Sequence, residues 1–191
     1  MKKCINISIG QTTIKKEPDY DADSSYLGEY GSKLKPGCYI RSHEKFYEDI
    51  TEDDDIPGSY GHHEYNFFYP SDQGVEIGTE EYKKYALQNY EIMEGLNNNQ
   101  WGYIGITIKT EIVANIPNPK DKTKYTEMSD NIVSSLWGIE YGITNNEYTD
   151  KGYIEETIKD LLSEQKDQLL KMGFSDSEIE QSFKDAEEVD L

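Results

Sequence analysis

The sequence predicts an α+β fold, in which an antiparallel sheet has helices packed on one face and the chain ends in a helical pair. Three observations support this class. Isoleucines alternate with polar residues at the period of a β-strand in residues 3–9 and in residues 101–113. Apolar residues recur at helical spacing from residue 154 to residue 172. Glycine, proline and asparagine separate these segments, as expected for turns between short elements.

The first third of the chain is predicted to form short strands between polar loops. Residues 3–9 are the first strand, and residues 15–36, which contain two prolines and two glycines, are predicted to be loop. Residues 38–40 and the aromatic residues 64–69 are the next two strands. Residues 48–61 hold six acids, and we expect them to form a solvent-exposed loop.

A helix and a long strand are predicted to follow. Thr79 can cap the helix, Gly95 is expected to end it, and its apolar face comprises Tyr82, Tyr85, Ala86 and Met93. In the strand at residues 101–113, the side expected in the core comprises Ile104, Ile106, Ile108 and Ile112. The side expected to be half-exposed comprises Trp101, Tyr103, Thr107, Lys109 and Glu111.

A second long strand is predicted to pair with the first. Residues 117–130 are polar and contain two prolines, so we expect a loop there. Residues 133–141 form the antiparallel partner strand, with one face made of Trp137, Ile139 and Tyr141.

The chain is predicted to end in two helices. The long helix stops at Gly173, and Ser175 with Glu178 forms the capping box of a second helix. We therefore expect an α+β domain over residues 1–150, with C-terminal helices over residues 151–191 packed on it or appended to it.

Charge excludes several classes of partner. The chain holds 38 acids and 19 bases in 191 residues, which gives a formal net charge of -19. Direct binding to nucleic acid or to an anionic membrane requires a basic surface, so we expect neither. An acidic chain instead suits a basic protein partner, or its charge serves solubility.

Cysteine content and hydropathy indicate a cytoplasmic protein. Cys4 and Cys38 are the two cysteines, too few for a disulfide framework in a chain of this length. No signal-peptide core follows the N-terminal lysines, and no run approaches the ~20 apolar residues of a membrane span. Neither cysteine has a base placed beside it by the sequence, so a nucleophilic role is not favoured.

Candidate metal sites fail on spacing, and we expect no metal and no cofactor. Asp19, Asp21 and Asp23 have the first ligand spacings of a calcium loop, but Ser24 replaces its glycine and Tyr30 its final glutamate. His62 and His63, followed by Glu64, point to opposite faces of a strand, and His43 lies across the acidic loop. Trp101, Tyr103 and Trp137 resemble base-stacking platforms, but the surplus of basic residues that such sites use is missing.

Four segments in order carry a resemblance to a known family. They are residues 21–30 (DADSSYLGEY), 64–70 (EYNFFYP), 101–106 (WGYIGI) and 136–140 (LWGIE), and the closing helix adds Met172-Gly173-Phe174. With these segments the chain resembles a family of small acidic hypothetical proteins encoded by phages and plasmids. The resemblance implies a mobile genetic element as context, and it carries over no catalytic residue.

Acidity and this context together lead to a functional hypothesis. Small acidic proteins of mobile elements can mimic the phosphate array of DNA and occupy the basic groove of a defence enzyme. We therefore expect a non-enzymatic inhibitor of a host defence system of CRISPR or restriction type. The residues predicted to bind the partner are Glu48, Asp49, Glu52, Asp53, Asp54, Asp55, Glu187, Glu188 and Asp190.

Two alternatives remain open from the sequence. The chain is otherwise an accessory protein of a phage or plasmid whose acidity serves solubility, or a metal-dependent enzyme that uses its Asp and His residues. The sequence does not identify the partner or the oligomeric state.

Overall fold

The computed structural model describes residues 6–51, 54, 66–72, 74–121, 123–142 and 151–189. Within these residues the protein has an α+β fold with three α-helices and two four-stranded, largely antiparallel sheets, which confirms the predicted fold class. The chain divides into two compact units. Unit 1 comprises Met1–Ala22 and Gly102–Leu191, and unit 2 comprises Asp23–Trp101. This division does not coincide with the predicted boundary between residues 150 and 151.

The secondary structure elements are numbered in chain order. The strands are β1 (Asn6–Pro18), β2 (Gly28–Gly31), β3 (Tyr39–Ile40), β4 (Lys45–Phe46), β5 (Phe67–Pro70), β6 (Gly102–Pro117), β7 (Tyr125–Tyr141) and β8 (Glu187–Val189). The helices are α1 (Glu80–Asn97), α2 (Lys151–Lys171) and α3 (Asp176–Lys184), and a 3-10 turn spans Tyr47–Asp49.

The sheet of unit 1 has the strand order β7-β6-β1-β8. Strand β6 pairs antiparallel with both β1 and β7, whereas the short β8 pairs parallel with β1. One face of this sheet packs against α2 and α3. The predicted core face of β6 is confirmed, because the side chains on it are at most 8% exposed: Ile104, Ile106, Ile108 and Ile112.

Both long strands extend beyond their predicted ends. Strand β1 continues to Pro18 and β7 begins at Tyr125, in segments that were expected to be loops. In β7 the side chains of residues 125–131 are exposed on both faces of the strand, so no apolar alternation marks this part of it in the sequence. The loop between β6 and β7 is therefore only residues 118–124.

A bulge in β7 changes the predicted faces of that strand. Ile104 pairs with Ile139 and Ile106 with Leu136, so Trp137 and Gly138 together lie opposite Gly105. Gly138 takes a φ of 76°, which a glycine adopts without strain. The extra residue moves Trp137 to the open face, where it is 46% exposed, while Ile139 is 4% exposed in the core. The prediction that these two residues share a face is wrong.

The end of α1 also differs from the prediction. Thr79 caps the helix as expected, since its side chain accepts a hydrogen bond from the backbone N–H of Tyr82. Gly95 does not end the helix, which continues to Asn97. A Cβ at Gly95 would lie 3.0 Å from the ring of Trp101, whose indole N–H donates to the carbonyl of Ile92 at 2.8 Å. The glycine therefore makes room for the tryptophan, which explains why Trp101 is buried and not half-exposed.

A chain of buried polar side chains crosses the core of unit 1. Gln165 of α2 donates to the carbonyl of Ile108 at 2.7 Å and accepts from the hydroxyl of Thr110 at 2.6 Å. Thr110 lies 3.1 Å from the hydroxyl of Thr12, which is in turn 2.7 Å from the hydroxyl of Ser182 in α3. Because buried polar groups are costly when unpaired, these bonds fix both helices in register on the sheet.

Unit 2 has an aromatic core. Its sheet has the order β2-β5-β3-β4, and α1 packs on it. The ring of Tyr39 lies 5.1 Å from that of Phe46 and 4.6 Å from that of Tyr90. Arg41, the single arginine of the sequence, donates to both carboxylate oxygens of Glu94 at 2.9 and 3.0 Å. Tyrosines thus supply much of the apolar area that aliphatic residues supply in most small domains.

Candidate functional site

The residues predicted to bind a partner are distributed over both units. Glu48, Asp49 and Asp54 belong to unit 2, and Glu187 and Glu188 belong to unit 1. The other predicted residues lie outside the described part of the chain: Glu52, Asp53, Asp55 and Asp190.

Two acids at the start of the acidic loop are engaged within unit 2. Glu48 accepts a hydrogen bond from the backbone N–H of Gly37 at 2.8 Å. Asp49 accepts from the ammonium of Lys83 in α1 at 2.5 Å, and this contact raises the pKa of Lys83 above its ordinary value. Both carboxylates sit on the 3-10 turn after β4, which places them within reach of these donors. Each holds the loop against its own unit.

Asp54 is similarly occupied. Its carboxylate accepts from the ammonium of Lys45 at 2.6 Å and from the backbone N–H of Thr51 at 2.8 Å. The hydrogen bonds from Lys45 and then from Thr51 lower the pKa of Asp54 to about 2. A basic partner would have to compete with Lys45 for this carboxylate, so the described loop acids are less available than the sequence suggested.

The acids near the C-terminus lie on β8. Glu187 accepts a hydrogen bond from the side-chain amide of Gln11 at 2.6 Å, and Glu188 is exposed. The strand pairs in parallel with Thr13–Lys15 of β1, so both residues are fixed at an edge of the sheet. The chain is therefore held to the sheet as far as Val189.

A stripe of acids on α2 was not among the predicted residues. Glu156, Asp160 and Glu164 recur every four residues and are exposed along one side of the helix. Leu136 of β7 and Tyr153 line the same cleft, which has a volume of about 400 Å³. The four-residue spacing of the acids is visible in the sequence, but the strand beside them is not.

This stripe differs from the loop acids in its charge environment. Within the described ranges, no lysine or arginine forms an ion pair with Glu156, Asp160 or Glu164. Lys166 of the same helix is drawn away towards α3, where its ammonium lies 2.9 Å from Asp176 and 3.2 Å from Glu180. The stripe therefore keeps its negative charge open to a partner.

A second, polar cleft lies between β1 and α3. A bulge in β1 sets Gly10 and Gln11 opposite Glu111, since Ile9 pairs with Ile112 and Thr12 with Thr110. The cleft has a volume of about 720 Å³, and its lining includes Gln11, Gln181, Ser182 and Asp185. The amide of Gln181 donates to the carboxylate of Asp185 one turn later, so these two groups pair along α3 on one side of the cleft.

Of the candidate metal ligands, Asp19, Asp23 and His43 have hydrogen-bond partners, and the histidine pair lies outside the described residues. Asp19 accepts from the backbone N–H groups of Asp21 and Gly138, and Asp23 accepts from that of Ser25, which lowers the pKa of Asp23. His62, His63 and Glu64 lie outside the described residues. Among the residues with described positions, no group of three His, Cys, Asp or Glu side chains is arranged to hold a metal ion.

The cysteine and the aromatic side chains considered as candidate sites have packing roles where they are described. Cys38 is fully buried, and burial raises the pKa of its thiol, while Cys4 lies outside the described residues. The indole of Trp137 lies against Gly105 on the open face of the sheet. Tyr103 is 8% exposed, so it offers little surface for stacking.

Comparison with protein-family models, with curated proteins and with solved structures finds no match to this chain. In the part of the chain that the structure describes, none of the helices combines the length and the apolar character needed to cross a membrane. Function must therefore be argued from the surface of the molecule itself.

Proposed function

We propose that this chain is a non-enzymatic binding protein whose acidic surface masks a basic, nucleic-acid-binding surface of another protein. The observation that carries the proposal is the net charge of -19, together with the α2 acids, which form no ion pair within the described residues. Such charge raises the rate of encounter with a basic protein and opposes association with nucleic acid or with a like copy.

The resemblance to acidic proteins of phages and plasmids favours a particular class of partner. A defence enzyme of CRISPR or restriction type presents a basic groove that holds phosphates, and a linear array of carboxylates can occupy it. The acids of α2 recur at about 6 Å along the helix axis, since four residues rise about 1.5 Å each. The helix backbone that carries the array is ordered before binding, which lowers the entropy lost on association.

The main rival is an accessory protein whose acidity serves solubility alone. The pairing of Asp49 with Lys83 and of Asp54 with Lys45 favours this rival for the loop, because those acids have a structural partner. The solubility hypothesis gives no reason for the acids on α2 to recur on one side of the helix with no ion pair among the described residues.

Affinity capture from cells that carry defence systems separates the two functions. The tagged chain is expected to retain basic, nucleic-acid-binding proteins that elute as salt rises, because exposed charges are screened beyond a Debye length of ~8 Å at physiological ionic strength. Added DNA should compete for the captured protein. Capture of proteins without a basic surface, or retention that ignores salt and DNA, would contradict the proposal.

A further inference from the structure

We propose that the cleft between β7 and α2 binds an extended basic segment of the partner, which adds a strand to β7, an edge of the sheet among the described residues. This inference rests on the proposed function and assigns it to one surface, defined by β7, Tyr153 and the three acids of the α2 stripe. Three properties of this surface carry it: an open sheet edge, an apolar floor and a row of unneutralised carboxylates.

Strand β7 is an edge of the sheet within the described part of the chain. It runs for 17 residues, from Tyr125 to Tyr141, and contains no lysine and no proline. Natural edge strands are commonly protected from pairing by lysine, proline, β-bulges or very short length, and the bulge of β7 lies towards its end, at Trp137 and Gly138. Before the bulge, the N–H of Asn131 donates to Asp130 and the carbonyl of Ile132 accepts from Gln165, so the uncharged residues 133–136 are the template for main-chain hydrogen bonds with an added strand.

The cleft beside this edge has an apolar floor. Leu136 of β7 is 41% exposed and Tyr153 of α2 is 48% exposed, and both line the cleft. Large apolar side chains on this surface gain stability when a partner covers them. The methylene stems of lysines on the helix-facing side of an added strand can cover them.

The row of carboxylates selects a basic occupant. Like charges four residues apart on a helix repel one another and destabilise it, and the stripe contains two such pairs. Within the described residues, none of the three carboxylates has a cation at ion-pair distance, although Lys159 lies on the same helix. Lysine or arginine from a partner would supply that cation.

The spacing of the two elements agrees with this arrangement. The carbonyl of Ile132 accepts from Gln165, while Leu136 shares the cleft with Tyr153, so later residues of β7 lie beside earlier residues of α2. An added strand along β7 would thus follow the stripe. Its side chains on one face repeat at roughly 6.5–7 Å, close to the roughly 6 Å between successive acids of the stripe.

A second copy of this chain is a poorer occupant. Pairing two β7 edges would bring two acidic stripes and two chains of charge -19 together. The same surface that attracts a basic segment therefore repels its own copy.

Binding of a labelled peptide, followed by fluorescence anisotropy, tests the assignment. The probe is an octapeptide of alternating lysine and valine. One control peptide replaces lysine by glutamate, and another carries an N-methyl group on every backbone amide, which keeps charge and side chains but blocks strand pairing through either edge of the peptide. The full chain is expected to bind the first peptide and to bind both controls at least tenfold more weakly.

Matched variants locate the site. The triple variant E156Q/D160N/E164Q is expected to bind the lysine peptide about tenfold more weakly, as for the loss of three exposed charge pairs. The variant D21N/E29Q/E91Q removes three exposed acids elsewhere and should bind within about twofold of the parent. Circular dichroism should show both variants folded, since the first relieves repulsion on α2.

Several outcomes would overturn the assignment. Equal binding by the two triple variants would exclude the stripe, and equal binding of the N-methylated peptide would exclude strand addition. Dimers in light scattering that dissociate as the peptide binds would assign the edge to a second copy. If the peptide does not bind while the chain still displaces DNA from a basic protein, this cleft is wrong and the proposed function stands. If neither occurs, both fail.

Discussion

Replacing Ile106 by alanine tests the packing of the sheet in unit 1. Its side chain is fully buried in a cluster with Ile14, Ile108 and Leu161. The change removes three carbons, and at ~0.8 kcal/mol for each buried group the transfer loss is about 2.4 kcal/mol. A residual cavity of roughly 50 Å³ would add about 1 kcal/mol, so the free energy of unfolding should fall by about 3–4 kcal/mol.

Thr107 is the matched control for this change. It follows Ile106 in β6 and points to the opposite, partly exposed face of the sheet. Thr107→Ala should therefore lower the free energy of unfolding by less than about 1 kcal/mol. Denaturant titration of both variants, with a check that the slope is unchanged, measures the two values. Equal or reversed losses would refute the register of β6, and the assignment of the neighbouring isoleucines to the core would fall with it.

Three further predictions concern local geometry and metal binding. Gly105→Ala should destabilise the protein by roughly 1–3 kcal/mol and shift tryptophan emission, because the added Cβ would collide with the ring of Trp137. The control variant Gly102→Ala should cost little stability, since its Cβ meets no atom within 4 Å. Equal losses of stability in the two variants would refute the bulge. The pKa of Asp54 should be about 2 by carboxyl NMR titration. The ionised carboxylate should therefore stabilise the protein at pH values above its ordinary pKa of 3.8, and this contribution should be lost as the pH falls towards 2. A measured pKa near 3.8 would exclude the contacts to Lys45 and Thr51. Elemental analysis after dialysis should find less than one equivalent of zinc or calcium, and a full equivalent would revive the metal-dependent enzyme.

Periodicity predicted the elements whose faces are chemically distinct. The isoleucines of β6 alternate with polar residues, and the capping residues Thr79 and Ser175 are followed by clear helical patterns, so these elements were found in the right places. The fold class follows from them. Both signals are local, because a strand face or a helix cap is defined by residues a few positions apart.

Features that depend on a distant partner were not predicted. Gly95 has the sequence context of a helix stop, but the indole of Trp101 requires a glycine there for close packing. Gly138 permits a bulge that depends on the pairing of β7 with β6, and no local pattern indicates it. The polar chain through Gln165 was missed for the same reason, since a glutamine inside an apolar stripe shows no partner in sequence.

The sequence predicts how many acidic residues the surface carries, but not which of them can bind a partner. Net charge is a sum over the sequence, whereas the accessibility of a carboxylate to a partner depends on whether a lysine of the same chain already pairs with it. Asp49 and Asp54 form ion pairs with such lysines, whereas Asp160 forms none within the described residues. The recurrence of acids every four residues was the one feature of the sequence that indicated the α2 stripe. It indicates a binding surface only once the structure places the stripe beside β7.

Displacement of DNA tests the central claim most directly. A basic nucleic-acid-binding protein captured by this chain is loaded with labelled duplex DNA, and the chain is then titrated in at several salt concentrations. We predict that the chain releases the DNA in a saturable manner and that its apparent affinity falls steeply as salt increases, because both ligands compete for the same cations. DNA that stays bound at saturating amounts of the chain, or an apparent affinity that does not change with salt, would contradict the account.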